Sequence, residues 1–533
     1  MENKYDSISI ANPHPEGGTA LQKIGLAGVA VSLFIFSISL FNVTTGNQGV
    51  FLTTAMLLLF IGGGLYGIEK YRHIPAGIKN NGVFQNSMTN RGIIGWVVGI
   101  LLTTFYIALY WFPEWIGQGT GVDGANAGMV ALFDPLSQLL KGQNASQWFV
   151  YGTFYTLAII VLGIKFLYKY RHNAYHRNRT IVVIISQLFL AYLIPEILEG
   201  LNYGAENYYS KDIKNMWPLN YYFTDGWYLN NLKAEVEQPL GMAYLVWGII
   251  LFLIVTPVVT YFVGKRWYCS WVCGCGGLAE TAGDPYRHLS DKSTDAWLIE
   301  RILIHGVMAF VLIMTTLLMI TYFFPEITFN RGINRFALLA FVAAVVATVI
   351  WWQRRKHPHV PMKKLYIVGG SIVIGFGAYL LIPQFFQGQG NTVYFSSYEF
   401  RSWYGFFIGS AFSGVIGVGF YPILGNRVWC RFGCPLAGYM GLIQRFKSRF
   451  RITTNGGQCI SCGNCSTYCE QGIDVRSYAQ KGENIVRASC VGCGVCAAVC
   501  PRGVLKLENG PEEGRIHGPI EISSKGISVL DEK

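Results

Sequence analysis

The chain has 533 residues, of which 52% are hydrophobic and only 14% charged, a balance that excludes an ordinary soluble domain and points to several membrane spans. Its formal charge of +12 fits basic loops flanking such spans; no basic patch accompanies a nucleic-acid motif, so no nucleic-acid partner is expected. All 13 cysteines lie after residue 268, in clustered motifs, the usage of metal ligands in a reducing compartment and not of a disulfide framework.

Residues 1–20 are polar and carry Pro13 and Pro15, without a basic region or a small-residue cleavage pattern. They read as a cytoplasmic N-terminal segment before a retained span. Apolar runs long enough to cross a bilayer then recur, near 22–41, 50–68, 92–112, 147–168, 180–197, 241–263, 302–323, 334–352, 364–383 and 404–424. They predict an all-α polytopic membrane bundle of about ten transmembrane helices. Half of them fall, with long outward loops, in 21–240, and half in a core at 241–441. Lys70, Arg72, Lys79 and Arg91 lie in one loop, Lys169, Arg171, Arg177 and Arg179 in another, and Arg354, Arg355, Lys356 and Lys363 in a third. The alternate loops are rich in Trp and Tyr. The positive-inside rule then places both termini and every cysteine on the cytoplasmic side of a bacterial inner membrane. The loops at about 113–146 and 198–240 are expected to cap the outer end.

Two short stretches repeat. Gly264-Lys265-Arg266-Trp267-Tyr268-Cys269-x3-Cys273 follows the run at 241–263, and Gly425-Asn426-Arg427-Val428-Trp429-Cys430-x3-Cys434-Pro435 follows the run at 404–424. An internal repeat of this kind marks two related halves. Residues at i and i+4 share a helix face, so each pair is expected to present two thiolates together. Cys269, Cys273, Cys430 and Cys434 then form a third redox metal centre, iron–sulfur in the first reading and copper in the second. Arg266 and Arg427 would balance the thiolate charge. The competing reading is two redox-active or structural thiol pairs that never share a metal. Cys275 is the odd cysteine and reads as a bystander.

In 442–454, Leu442, Ile443, Phe446 and Phe450 alternate with Arg445, Lys447, Arg449 and Arg451. This predicts an amphipathic helix on the inner membrane surface, leading into a small module at 455–508. That module contains Cys459-x2-Cys462-x2-Cys465-x3-Cys469 and Cys490-x2-Cys493-x2-Cys496-x3-Cys500-Pro501. Each run has the bacterial ferredoxin spacing, in which the fourth cysteine ligates the other [4Fe–4S] cluster. Cys459, Cys462, Cys465 and Cys500 are therefore expected to hold the first cluster, and Cys490, Cys493, Cys496 and Cys469 the second. Zinc sites use C-x2-C pairs instead. Glu470 stands where proline is usual, a change expected to leave the ligands alone. The tail 509–533 is polar.

The paired C-x3-C motifs, the spans and the two-cluster C-terminal module resemble the membrane polyferredoxin family of the NapH, NosR and FixG/CcoG type over about residues 241–508. The resemblance implies a quinol dehydrogenase-type electron-transfer subunit at the inner membrane, working between the quinone pool and a respiratory redox protein partner. The alternative is a maturation factor whose thiols bind and reduce copper for a respiratory metalloenzyme. Gly274 replaces the proline expected after Cys273, and neither the flavin domain of NosR nor the immunoglobulin-like tail of FixG is present. There is no C-x-x-C-H for covalent haem, no Walker A motif and no Ser–His–Asp signature. His305, the histidine within a span, reads as a polar interface residue with quinone hydrogen bonding as the sharper alternative. Glu196 reads as a helix-end carboxylate, with proton relay as the alternative.

Overall fold

The computed structural model describes residues 18–72, 87–201, 212–214, 216–219, 239–323, 332–356, 358, 362–381, 394–509, 520–523 and 526–529. The expectations for 1–17 and most of 510–533 lie outside these residues, apart from a hairpin pairing Ile520–Ser523 with Gly526–Val529. Among the described residues, seven helices are long and apolar enough to cross a membrane: Ala20–Ser39, Gln48–Arg72, Ile93–Trp111, Gln147–Lys169, Ala174–Leu201, Val246–Val263 and Thr294–Met319. They coincide with the first seven apolar runs. At the remaining three positions the chain is helical over Arg335–Lys356, over Lys363–Leu381, and over Ser397–Tyr404 continued by Gly405–Ile416.

The last of these differs from the run expected at 404–424. The helix begins at Ser397, stops at Ile416, and turns into the short helix Tyr421–Leu424. The turn needs glycine: a Cβ on Gly417 would meet the Ser413 carbonyl at 2.4 Å, and one on Gly419 the Val415 carbonyl at 2.3 Å.

Glycines also bring the first helices together. A Cβ on Gly25 would lie 2.7 Å from the Gly62 carbonyl, and one on Gly62 would lie 2.6 Å from the Gly25 carbonyl. On neighbouring turns, Gly63 and Gly67 receive Val161 and Lys165 of the helix Gln147–Lys169. Helices that cross this closely gain packing that larger side chains would prevent.

The segment 113–146 caps one end of this bundle, as expected. Its short helices Gly128–Leu132 and Asp134–Lys141 bury Met129, Val130, Leu132 and Phe133 in the core that contains Phe36, Leu52 and Leu109. The other long loop is not merely a cap. Its residues 212–214 and 216–219 enter the bundle: the Ile213 N–H donates to the Leu190 carbonyl (3.2 Å), and Trp247 Nε1 donates to the Ile213 carbonyl (2.8 Å). Trp217 Nε1 donates to Thr315 Oγ1 (2.9 Å).

The expected surface helix of 442–454 is divided. The helix Pro435–Lys447 ends before Phe450, which opens the strand Phe450–Thr454 and is buried. That strand pairs antiparallel with Leu505–Asn509, in the register Phe450↔Asn509 and Thr454↔Leu505, and closes the ferredoxin-like module.

Replacing Gly62 with leucine is expected to cost about 1–3 kcal/mol, the usual penalty for an overpacked site. A lowered midpoint for thermal unfolding in detergent, absent in the Gly64→Leu control whose Cβ meets nothing within 4 Å, checks this.

Candidate functional site

The two cysteine runs of the module surround two cavities, and each cavity takes its fourth cysteine from the other run. Cys459, Cys462, Cys465 and Cys500 line one of about 350 Å³, with Arg476, Pro501 and Arg502 at its rim. Cys490, Cys493, Cys496 and Cys469 line the other, of about 370 Å³, with Ile452, Ile473, Val475 and Ile485 behind them. Within each run a glycine before the third cysteine takes a left-handed conformation, Gly463 at φ 78° and Gly494 at φ 81°. That geometry favours glycine and turns the chain back around the cavity. Burial pushes the Cys465 and Cys490 thiols up to about 11, so without metal they stay protonated, and metal binding would displace their protons. Four soft donors around an apolar hollow fit an iron–sulfur cluster.

Cys269, Cys430 and Cys434 share one buried core, against which Cys273, Cys275 and Cys493 also pack. The sequence repeat does bring four thiols together, but not by helix periodicity. Cys269 ends the turn Arg266–Cys269, and Cys273 caps the next helix, Gly274–Thr281. Cys430 lies in a widened turn, Trp429–Gly433, and Cys434 caps Pro435–Lys447. Further widened turns face the same core: Ser186–Leu193, through a hydrogen bond from Ser186 Oγ to the Val272 carbonyl (3.0 Å), and Leu251–Val255 through Leu251 and Val255. Such turns occur where a helix opens its hydrogen-bond ladder at a functional site.

Cys275 packs against the same core as Cys273, and its thiol beside Cys273 lowers that group, whereas burial drives Cys269 up to about 12. Lys214, carried in by the loop, adds a positive charge acting on Cys273, and its carbonyl accepts from Tyr268 Oη (3.0 Å). The two repeat arginines diverge. Arg427 Nη1 reaches Cys430 Sγ at 3.6 Å and the Cys269 carbonyl at 3.2 Å. Arg266 instead stacks on Phe450 and Tyr175, 4.6 and 5.7 Å from their centroids.

Sequence reasoning missed the joint between the module and the membrane core. Four consecutive carbonyls of the second cysteine run accept from four core side chains. Gln444 Nε2 donates to Cys490 (2.7 Å), Ser270 Oγ to Val491 (2.8 Å), Tyr175 Oη to Gly492 (2.7 Å), and Arg179 to Cys493. Beside them lies a buried ionic network. Glu470 pairs with Arg287, and with Arg427 at 3.1 Å; Glu280 pairs with Arg179, with Arg427 at 2.7 Å and with Arg287 at 3.3 Å. Asp284 joins it through Arg287 (2.9 Å) and Lys169 (2.6 Å). Burial works against the Glu470 charge, but Arg427 and Arg287 outweigh it and hold the carboxyl low. Glu280, Glu470 and Cys493 offer ligand atoms within 4.8 Å of one another, the only such trio among the described residues. Guanidinium groups already occupy both carboxylates. No three thiols of the repeat pairs approach one another so closely, whereas a single tetrahedral ion bonded at about 2.3 Å draws its sulfurs to about 3.8 Å.

His305 is exposed, with Nδ1 at 2.5 Å from the Arg301 carbonyl. Glu196 is paired with Lys141 at 3.0 Å, the helix-end role.

Residues 458–505 match a family described as a 4Fe-4S dicluster domain. Residues 245–293 and 406–453 each match a second, described as a 4Fe-4S binding domain, so the two repeats are copies of one unit. Over 55 residues the chain is 36% identical to "Putative electron transport protein YccM" of Escherichia coli (strain K12), a stretch covering 10% of this chain and 15% of that protein. No solved structure matches. The chain carries iron–sulfur domains joined to helices fit to cross a membrane.

Two predictions follow from the joint. Glu470→Ala leaves Arg287 and Arg427 to share Glu280 in the interior, an excess of buried positive charge that should cost about 3–5 kcal/mol, seen as earlier thermal unfolding and as proteolytic release of the module. Burial would raise the Asp284 carboxyl, but Lys169 and Arg287 depress it well below the usual carboxylate range. Its contribution is therefore complete above the unfolded value of about 3.9 and is lost only as pH falls below it. Asp284→Asn should lower stability at neutral pH and narrow its gap to the parent below pH of about 3, measured by unfolding across that range.

Proposed function

We propose that the chain is a membrane-bound iron–sulfur electron-transfer protein working between the quinone pool and a respiratory redox protein. Cys459, Cys462, Cys465 and Cys500 hold one [4Fe–4S] cluster, and Cys490, Cys493, Cys496 and Cys469 hold a second. Cys269, Cys273, Cys430 and Cys434 hold a third centre, iron–sulfur in kind. When bound, such clusters accept and release single electrons. The remaining work belongs to the chain, which fixes the distances, excludes water and sets the surrounding charge.

The observation that carries this reading is the contact between the second cysteine run and the repeat thiols. Ser270, next to Cys269, donates to the carbonyl of Val491, next to Cys490, at 2.8 Å. Cys493 packs on the core that holds Cys269, Cys430 and Cys434. Electron tunnelling falls steeply with distance, and a direct hydrogen bond between the two loops shortens the path. The match of both repeats to a 4Fe-4S binding domain supports the iron–sulfur kind for the third centre. The quinone assignment draws on the apolar spans that surround these thiols. The basic loops support a module and two termini on the cytoplasmic side of a bacterial inner membrane.

The test is anaerobic isolation followed by iron analysis and low-temperature EPR. Three clusters predict about twelve irons per chain, and Cys430→Ser should remove about four of them with one signal, leaving the other two. Unchanged iron in that variant ends the third-centre reading. A menaquinol or ubiquinol analogue should reduce the clusters of the parent protein; signals that stay oxidised overturn the quinone assignment.

A further inference from the structure

On the module side of the bundle three arginines converge without an acidic partner among the described residues. Arg301 lies on the helix Thr294–Phe323, Arg445 near the end of Pro435–Lys447, and Arg487 in the module, three residues before Cys490. Arg301 and Arg487 both stack on one indole: their guanidinium carbons lie 4.9 and 5.2 Å from the Trp297 centroid. Arg301 also stacks on Trp352, at 5.1 Å. Arg445 and Arg487 both repel Arg301, and the carboxylate acting on it, Glu300, is already bound by Arg431 Nε at 2.7 Å. Among the described residues none of the three guanidinium groups is within ion-pair distance of a carboxylate. Two of these charges stack on the tryptophans and Arg445 stacks on Phe446 at 6.0 Å; like charges so close repel one another, so their arrangement calls for an anion from outside the chain.

The setting names its source. Phe446, next to Arg445, is 70% exposed, and Trp351 and Trp352 are 58% and 44% exposed at the end of the helix Arg335–Lys356. Arg354 and Arg355 follow them, and Arg355 stacks on Trp351 at 5.5 Å. Exposed indoles and a phenyl ring beside arginines mark the depth at which lipid headgroups meet acyl chains.

We propose that Arg301, Arg445 and Arg487, floored by Trp297 and Trp352, bind the phosphate headgroup of an anionic phospholipid at the membrane surface facing the module. The planar guanidinium forks suit phosphate oxygens, and Phe446 and Trp351 accompany the acyl chains. Such a lipid ties the module to the bilayer at Arg487, whose carbonyl is bonded to Gln444 Nε2 (2.8 Å) and to the Cys490 N–H (3.1 Å). It acts beside the second cysteine run without depending on which metal that run holds.

The full chain in nanodiscs of mixed phosphatidylglycerol and phosphatidylcholine, released into native mass spectrometry, tests this. The parent should retain phosphatidylglycerol above its share of the bilayer. Arg301→Gln with Arg487→Gln should weaken that retention about thirtyfold, and the lysine pair should keep part of it. Equal iron content in parent and variants shows that the chain is folded and separates this result from any failure of the electron-transfer reading. Equal phosphatidylglycerol in parent and glutamine pair overturns the proposal. So does complete displacement of the lipid by excess inorganic phosphate, which would make this a site for the free anion.

Discussion

A charge taken out of water must meet an opposite charge or be neutralised, and this requirement fixes how the two parts of the chain meet. Glu280, Glu470, Arg179, Arg287 and Arg427 are all buried. They come from the helix Ala174–Leu201, from both repeats and from the ferredoxin-like module, so no part alone can satisfy its own charges. Separating the module would leave arginines and carboxylates facing an apolar surface. With Asp284 and Lys169 counted, three guanidinium groups and an ammonium face three carboxylates, which leaves one positive charge over, and Arg427 reaches Cys430. The four carbonyls held from Cys490 to Cys493 add direction to this attraction, because hydrogen bonds tolerate little misalignment.

The two repeats share a pattern but not an environment. After Cys434, Pro435 opens a helix, the first-turn position in which a missing N–H costs nothing. After Cys273 the corresponding residue is Gly274, and the neighbours explain the exchange. A Cβ there would lie 2.5 Å from Gln187 Oε1 and 3.2 Å from the Tyr155 ring. Both come from the first five spans, which therefore close over the first repeat and leave no room for a proline ring. Arg266 and Arg427 part for a related reason. Arg266 fills the gap against Gly492 and Phe450 at the module, while Arg427 turns inward to meet the carboxylates.

The spacing of the module cysteines was informative because metal chemistry ties it to short-range geometry, and both cavities carry the fourth cysteine that the spacing implies. Apolar runs located the helices for a similar reason: a bilayer imposes a length. What stayed hidden depended on long-range contacts. Glu470 looks like a minor exchange beside Cys469, yet its importance rests on Arg287 and Arg427, far away in sequence. The i, i+4 argument grouped four thiols that do share one core, but through the wrong geometry, since widened turns and helix caps break the periodicity it assumed. Cys275 has no motif of its own, and its packing against the core beside Cys273 was not legible. Nothing in the composition of 198–240 distinguishes a cap from a segment that carries Lys214 to the thiols.

The two cavities of the module are chemically alike and differ in what surrounds them. Around the first, Ile460, Ser461, Cys462, Pro501 and Arg502 are exposed, and a Cβ on Gly463 would meet only Arg476, at 3.9 Å. Around the second, the equivalent Gly494 lies against Tyr175, Gly492 lies against Arg266, and Gly472 abuts Arg431. Adding a side chain would therefore be tolerated for space at one loop and would lift the module off its base at the other. A water-soluble molecule can approach the first set of cysteines, whereas the second set faces the core that holds Cys269, Cys430 and Cys434. A pseudo-symmetric module docked through one half thereby acquires a direction, with an outer site for exchange with the aqueous phase and an inner site in contact with the membrane-embedded core.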